Sequence, residues 1–232
     1  MNRTLSVVRM QLINRQTFIW IPLIVLAGSL VITLAIYGIL RGTGGVTINL
    51  YGGGAQAPLW YFLYVGVSSL TLTFPFSQAM SVTRREFFLG TLLTAVITSA
   101  LLAAIFVAGG AFEVATNGWG MDGYFFALDW LWTAGPLVAF AFYFVTAMLF
   151  FIAGFWAATI FKRFGAMWLT IVLIGIAALL VLGLFVVART DAWTELFGWF
   201  ATIGAVGLTG LMAAVALVFA AIAFPALRRA TP

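Results

Sequence analysis

Residues 81 to 93 read SVTRREFFLGTLL. Arg84, Arg85 and Glu86 stand here side by side in a chain of 232 residues that is 64% hydrophobic and only 7% charged. Long apolar runs lie on both sides of them. Burying three such charges in hydrocarbon would cost roughly 7–10 kcal/mol on an insertion scale, so this stretch must join two buried segments at a water-facing surface. The spacing of Thr83 and Glu86 is that of a capping box, with Thr83 as N-cap and Glu86 reaching back from the third helical position, so a helix is expected to start here.

Working outward, the flanking runs fix the class. A soluble domain carries roughly a quarter of its residues as charges; here the mean hydropathy is +1.16. Six apolar stretches, at about 17–40, 58–80, 90–112, 134–160, 167–188 and 199–225, are each long enough to cross a bilayer as a helix. The expected fold is therefore an all-α integral membrane protein, with residues 1–232 forming one six-helix domain. Pro58 and Pro136 fall at helix starts, where a missing N–H costs nothing. Pro75 lies inside the second span and is expected to kink it. The first stretch, followed by YGILRGTGG, reads as a retained helix rather than a cleaved signal.

Charge sets the expected orientation. With six spans, both termini share a side with the loops at 81–89 and 161–166. That side holds Arg3, Arg9, Arg15, Arg84, Arg85, Lys162, Arg163, Arg228 and Arg229, nine of the eleven basic residues. Only Arg41 and Arg189 lie opposite. The positive-inside rule then places both termini in the cytoplasm. Five of the six acids, Glu113, Asp122, Asp129, Asp191 and Glu195, fall outside. Trp60, Trp119, Trp130, Trp132, Trp193 and Trp199 gather toward the outer boundary, and Trp20, Trp156 and Trp168 toward the inner one, the depth that amphipathic rings favour. The net charge of +5 is thus a topological signal and not a nucleic-acid footprint.

The segments outside the spans are short. Residues 1–16 read as an interfacial helix with Leu5, Val8 and Leu12 on one face, opposite Arg3, Gln11 and Asn14, although Val7 falls on the polar side. The Gly-rich 41–57 segment is expected to form a hairpin or irregular cap. Residues 113–133 are expected to hold a short helix along the outer interface, and 189–200 a brief surface or re-entrant helix. Asp129 reads as a solvated loop acid. Two small-residue stripes, Ala100/Ala104/Ala108 and Gly204/Gly207/Gly210, read as packing inside the bundle, and the abundant Phe residues as packing or lipid-facing.

The available chemistry is narrow. Cysteine and histidine are absent, which removes thiolate and imidazole catalysis and the commonest metal ligands. The six expected spans contain no Asp, Glu, Lys, Arg or His for a proton path. No phosphate-binding loop is present; the single lysine, Lys162, sits in FKRFG. The chain therefore reads as neither an enzyme nor a nucleotide binder. Taken alone, the 81–89 stretch is either a topogenic loop or a docking helix for a soluble partner.

The arrangement SVTRREFFLGTLL resembles the segment after the second helix in membrane subunits of bacterial type-two ABC exporters. The likeness extends to the plan of an N-terminal interfacial helix and six spans with both ends inside. It implies a short cytoplasmic coupling helix at 81–89, in which Thr83, Arg84, Arg85, Glu86, Phe87 and Phe88 contact an ATP-binding subunit. The interfacial helix, with Arg9 and Arg15, would lie beside it. It further implies a permease dimer with an identical or similar partner, two ATPase copies that carry ATP and magnesium, and a bacterial plasma membrane location. The cargo would be lipophilic or peptidic and would move outward. Many such relatives carry Gly ahead of the Ser/Thr–Arg–Arg run, where this chain has Met80, Ser81 and Val82. Two other readings stand beside it: the substrate-binding membrane subunit of a vitamin-type ABC importer, and a membrane assembly protein that transports nothing.

Overall fold

The computed structural model describes residues 3–43 and 49–228. Residues 44–48 of the Gly-rich loop, the first two residues of the expected interfacial helix, Arg229 and the side chain of Arg228 lie outside the described residues. Nine α-helices occur among those described: α1 (Arg3–Ile13), α2 (Ile21–Gly42), α3 (Ala57–Thr71), α4 (Thr73–Ala79), α5 (Arg84–Ala115), α6 (Asp129–Trp132), α7 (Pro136–Phe164), α8 (Ala166–Arg189) and α9 (Trp193–Arg228). Six helical runs of 24 to 35 residues are apolar enough to cross a membrane: Gln16–Gly42, Gly53–Ala79, Arg84–Ala115, Pro136–Phe164, Ala166–Arg189 and Trp193–Leu227. This is the architecture of a multi-pass membrane protein, and each run overlaps one of the six expected spans.

Local chemistry explains the breaks. A π turn at Gln16–Trp20 leads into α2 just before Pro22, which has no N–H to continue the ladder. Pro75 cannot donate to Thr71, and the second span divides there into α3 and α4 at Leu72, as its position predicts. α9 is broken at Gly204, whose φ of 56° and ψ of −164° suit glycine alone. Its residues 193–203 thus form a separate piece, in keeping with the short helix expected before the last span.

α7 is the central post, packed on α3, α5 and α9. Buried side chains form two clusters. One, around Phe62, Phe106, Phe125, Phe126, Leu131, Tyr143 and Phe151, fills one end. The other, around Val7, Phe74, Phe87, Phe88, Phe155 and Leu227, fills the end where 81–89 turns. Buried hydroxyls of Ser68, Ser69, Thr94 and Thr98 donate to carbonyls three or four residues back in their own helices, so they enter the core with their hydrogen bonds made.

Several expectations are corrected. Residues 81–89 do not form a separate short helix: α5 starts at Arg84 and runs unbroken for 32 residues. Of the two forms expected for the 41–57 segment, the irregular cap is found and not the hairpin: among the described residues it does not pair with itself. Instead a two-residue strand, β1 (Leu50–Tyr51), pairs in parallel with β2 (Gly123–Tyr124) from the other loop of that end. Within 113–133 only α6 is an α-helix after Ala115, and the buried Phe125, Phe126, Ala127 and Leu131 turn this segment into the bundle. On α1 the expected face is met in part: Val8 is buried, Leu12 packs on the core and Arg3 and Asn14 are exposed, but Leu5 is half exposed, and Val7 and Gln11, expected on the polar side, are buried. Neither small-residue stripe packs in the bundle: Ala104, Ala108, Gly204 and Gly210 are exposed, and Ala100 and Gly207 only partly covered.

Candidate functional site

The corner between α4 and α5 is built from two caps set back to back. α4 ends when Ser81 takes a left-handed conformation, with φ 56°. Ser81 N–H then donates to Gln78 O at 3.0 Å and Val82 N–H to Ser77 O at 3.1 Å, the paired bonds of a Schellman stop. Val82 is buried under it. Two residues later the next helix begins: Thr83 Oγ1 accepts from Glu86 N–H at 3.2 Å, and Glu86 Oε2 accepts from Thr83 N–H at 2.9 Å and from the Thr83 hydroxyl at 2.7 Å. The capping box read from the sequence is therefore formed. Glu86 also places a negative charge in the first turn, where the helix dipole favours it. Ser81 thus holds a left-handed position that glycine usually fills.

Both ends of the described chain meet this corner. Arg3 Nη1 donates to Ser81 O at 3.2 Å, and Arg84 Nη1 donates to Leu227 O at 3.3 Å. α1 lies along the start of α5, where Gly90 leaves the room: a Cβ on Gly90 would fall 2.6 Å from that of Val7. Gln11, fully buried, donates to Thr91 Oγ1 at 2.9 Å and Thr73 Oγ1 at 3.4 Å, keying α1 to α5 and α4 together.

The predicted site residues consequently divide. Thr83 and Arg85 are exposed, Arg84 and Glu86 are partly covered, and Arg9 and Arg15 are exposed on or just after α1. Phe87 and Phe88, expected to face a soluble partner, are interior. Phe87 packs edge-on against Phe74 at 5.2 Å, and Phe88 lies against Phe155 and Phe224 at 5.9 and 5.1 Å. They fasten the corner to the bundle. Of the two arginines at the corner itself, Arg85 is the exposed one, and Met80 and Ser81 are exposed as well.

The opposite end carries a residue that the sequence reading misplaced. Glu113 was expected in an outer loop, but α5 extends to Ala115 and the Glu113 side chain is fully buried. Oε1 accepts from Trp119 Nε1–H at 2.8 Å and Phe125 N–H at 2.9 Å; Oε2 accepts from Phe126 N–H at 2.7 Å and Ala127 N–H at 2.8 Å. Four donors stand in for the lost water, which is the condition for burying a carboxylate. Around this clasp, Tyr143 and Tyr37 donate to Phe126 O and Tyr124 O at 2.6 and 3.1 Å, and Arg41 pairs with Asp122 at 3.0 Å. Tyr51 stacks on Tyr124 and donates to Asp129, whose carboxylate holds the Tyr51 hydroxyl above its ordinary pKa. Asp129 itself is exposed, as expected. The result is a cap over one end of the bundle. Among the described residues, no three His, Cys, Asp or Glu side chains gather as a metal site.

Comparison with protein-family models, with curated proteins and with solved structures finds no match for this chain.

Proposed function

We propose that the chain is the membrane subunit of an ATP-driven exporter of the type-two ABC family. Energy would come from two copies of a separate ATP-binding subunit, and a second permease, identical or similar, would complete the complex. The chain would lie in the bacterial plasma membrane with both termini in the cytoplasm, among its basic residues, and a lipophilic or peptide cargo would leave through the dimer.

The observation that carries this reading is the construction of the corner at 80–86. It is preformed by caps on both helices and hydrogen-bonded to residues at both ends of the described chain, Arg3 and Leu227. A push on such a corner is passed to α1, α5 and α9 at once, which suits a coupling element and exceeds what a topogenic loop requires. The burial of Phe87 and Phe88 moves the proposed contact to Thr83 and Arg85, with Arg9 on α1 and Arg15 just after it. Phe87 and Phe88 then become the residues that transmit load into the core.

The test is co-expression with an ABC ATP-binding subunit encoded beside this gene, followed by pull-down. The native chain is expected to hold the ATPase without a third membrane protein. Arg85→Glu is expected to weaken recovery at least about tenfold while the chain still inserts, an effect of the size seen for charge reversal at a docked cation. Unchanged recovery, or no complex at all, would remove the coupling role.

A further inference from the structure

α8 is unlike every other long helix in the bundle. None of its 24 residues is buried, and only Leu169, Val172 and Val187 are even partly covered. Its main contacts are with its chain neighbours α7 and α9. The first piece of α9, residues 193–203, is equally uncovered: only Leu196 and Ile203 are partly shielded. Together these two elements form a helical arm on the flank of a packed body.

The arm turns at a hydrogen-bonded elbow and meets the body at two glycine joints. At the elbow Asp191 is left-handed, with φ 51°, Thr190 N–H donates to Val186 O at 3.0 Å, and Ala192 N–H donates to Val187 O at 3.1 Å. That closed stop joins α8 rigidly to the piece that follows. The joints are Gly165 (φ 87°, ψ 176°) where α7 gives way to α8, and Gly204 (φ 56°, ψ −164°) where the arm rejoins the bundle. A Cβ at either glycine would meet nothing within 4 Å, so packing does not dictate glycine there. The backbone conformation does, because side-chain-bearing residues avoid this region. Beyond each joint the chain is held: α7 is the central post, and Ala205, Ala216, Ala223 and Leu227 of α9 are buried.

Where the arm rejoins the body there is an open cleft of about 510 Å³. Trp130 and Thr133 of the cap form one wall; Phe200, Ala201, Gly204 and Leu208 belong to the other. The cap wall is fixed by the Glu113 clasp and by the buried Leu131. Among the described residues, the wall containing Phe200 and Ala201 has no such clasp, and both residues are exposed.

We propose that α8 and residues 193–203 swing as one rigid arm about Gly165 and Gly204, and that this motion opens and closes the cleft against Trp130 and Thr133. In water an apolar arm could not leave its neighbours without a hydrophobic penalty. In a bilayer the lipid tails are as apolar as the surface exposed, so the motion breaks no buried packing and meets no such penalty. Hinge motion about a few element-terminal residues is an established form of conformational change. The inference is independent of any ATPase and holds for the isolated chain.

The chain has no native cysteine, so spin labels go only where cysteines are introduced. An arm pair, Ile97→Cys on α5 with Leu182→Cys on α8, is compared with a body pair, Ile97→Cys with Leu137→Cys on α7. Each is measured by pulsed electron resonance in lipid nanodiscs, diluted with unlabelled chain to exclude intermolecular pairs. The arm pair is expected to give a distance distribution about twofold wider than the body pair. Gly204→Ala is expected to shift or narrow the arm distribution and leave the body pair unchanged. Arm and body distributions of equal width in the native background would overturn the proposal whatever the Gly204 variant does; so would an arm distribution that ignores Gly204→Ala while the body pair confirms folding.

Discussion

Gly66 of α3 and Gly154 of α7 cross so closely that a Cβ on Gly66 would lie 2.0 Å from Phe151 O, and one on Gly154 would lie 2.0 Å from Leu63 O. Neither carbonyl can yield without moving its helix. This is the contact on which the central pair of the bundle is built, in a medium where close backbone approach replaces hydrophobic drive.

Gly66→Ala and Gly154→Ala are each expected to destabilise the chain by about 1–3 kcal/mol through overpacking. Because one separation of the helices relieves both clashes, the double variant should cost less than the sum of the singles. Gly175→Ala on α8, with nothing within 4 Å of the new methyl, serves as the control without a clash and is expected to be neutral or to stabilise by up to about 1 kcal/mol. Thermal unfolding of the purified variants in one detergent checks all four.

At Glu113 the carboxylate oxygens each serve two donors. Glu113→Gln turns one of them into an –NH2 group, and whichever is converted leaves two donors facing a donor. At about 1–3 kcal/mol for each unsatisfied buried group, the expected loss is about 2–6 kcal/mol. Hydrogen exchange should locate it: protection falls at 119–127 and is retained in α3 and α7.

Ser81 occupies a left-handed position that costs an ordinary residue about 1–2 kcal/mol. Ser81→Gly removes most of that and gives back some chain entropy, so a net gain of about 0.5–1 kcal/mol is expected, seen as a rise in melting temperature. A fall would show that the Ser81 side chain contributes more than its backbone position costs.

Thr83→Ala removes the N-cap acceptor and is expected to cost about 1 kcal/mol, whereas Thr83→Ser should be nearly neutral. Glu86→Gln retains a capping-box acceptor and should lie between them. Circular dichroism melts rank the three.

What the sequence made legible was whatever depends on neighbours along the chain. The spans are visible because burial in lipid demands long apolar runs, and the break near Pro75 and the Thr83–Glu86 cap follow from contacts three or four residues apart. Helix faces were harder to read. In water an apolar stripe marks the buried side, but in a bilayer both sides are apolar. Leu5 and Val7 of α1 therefore look alike, as do Phe88 and the lipid-facing Phe76, although only Val7 and Phe88 are inside. Glu113 escaped for another reason. Three of its four partners are backbone N–H groups, 12 to 14 residues ahead, and backbone donors leave no mark in a sequence.

The fit of Gln11 into the bundle carries a consequence for the order of events during synthesis. Its hydrogen-bond partners, Thr73 and Thr91, lie 62 and 80 residues further along. The ribosome therefore delivers α1 well before the groove that receives it exists. Until α4 and α5 are threaded into the membrane the Gln11 amide has none of these partners, so α1, although made first, can dock only after the third span has followed it.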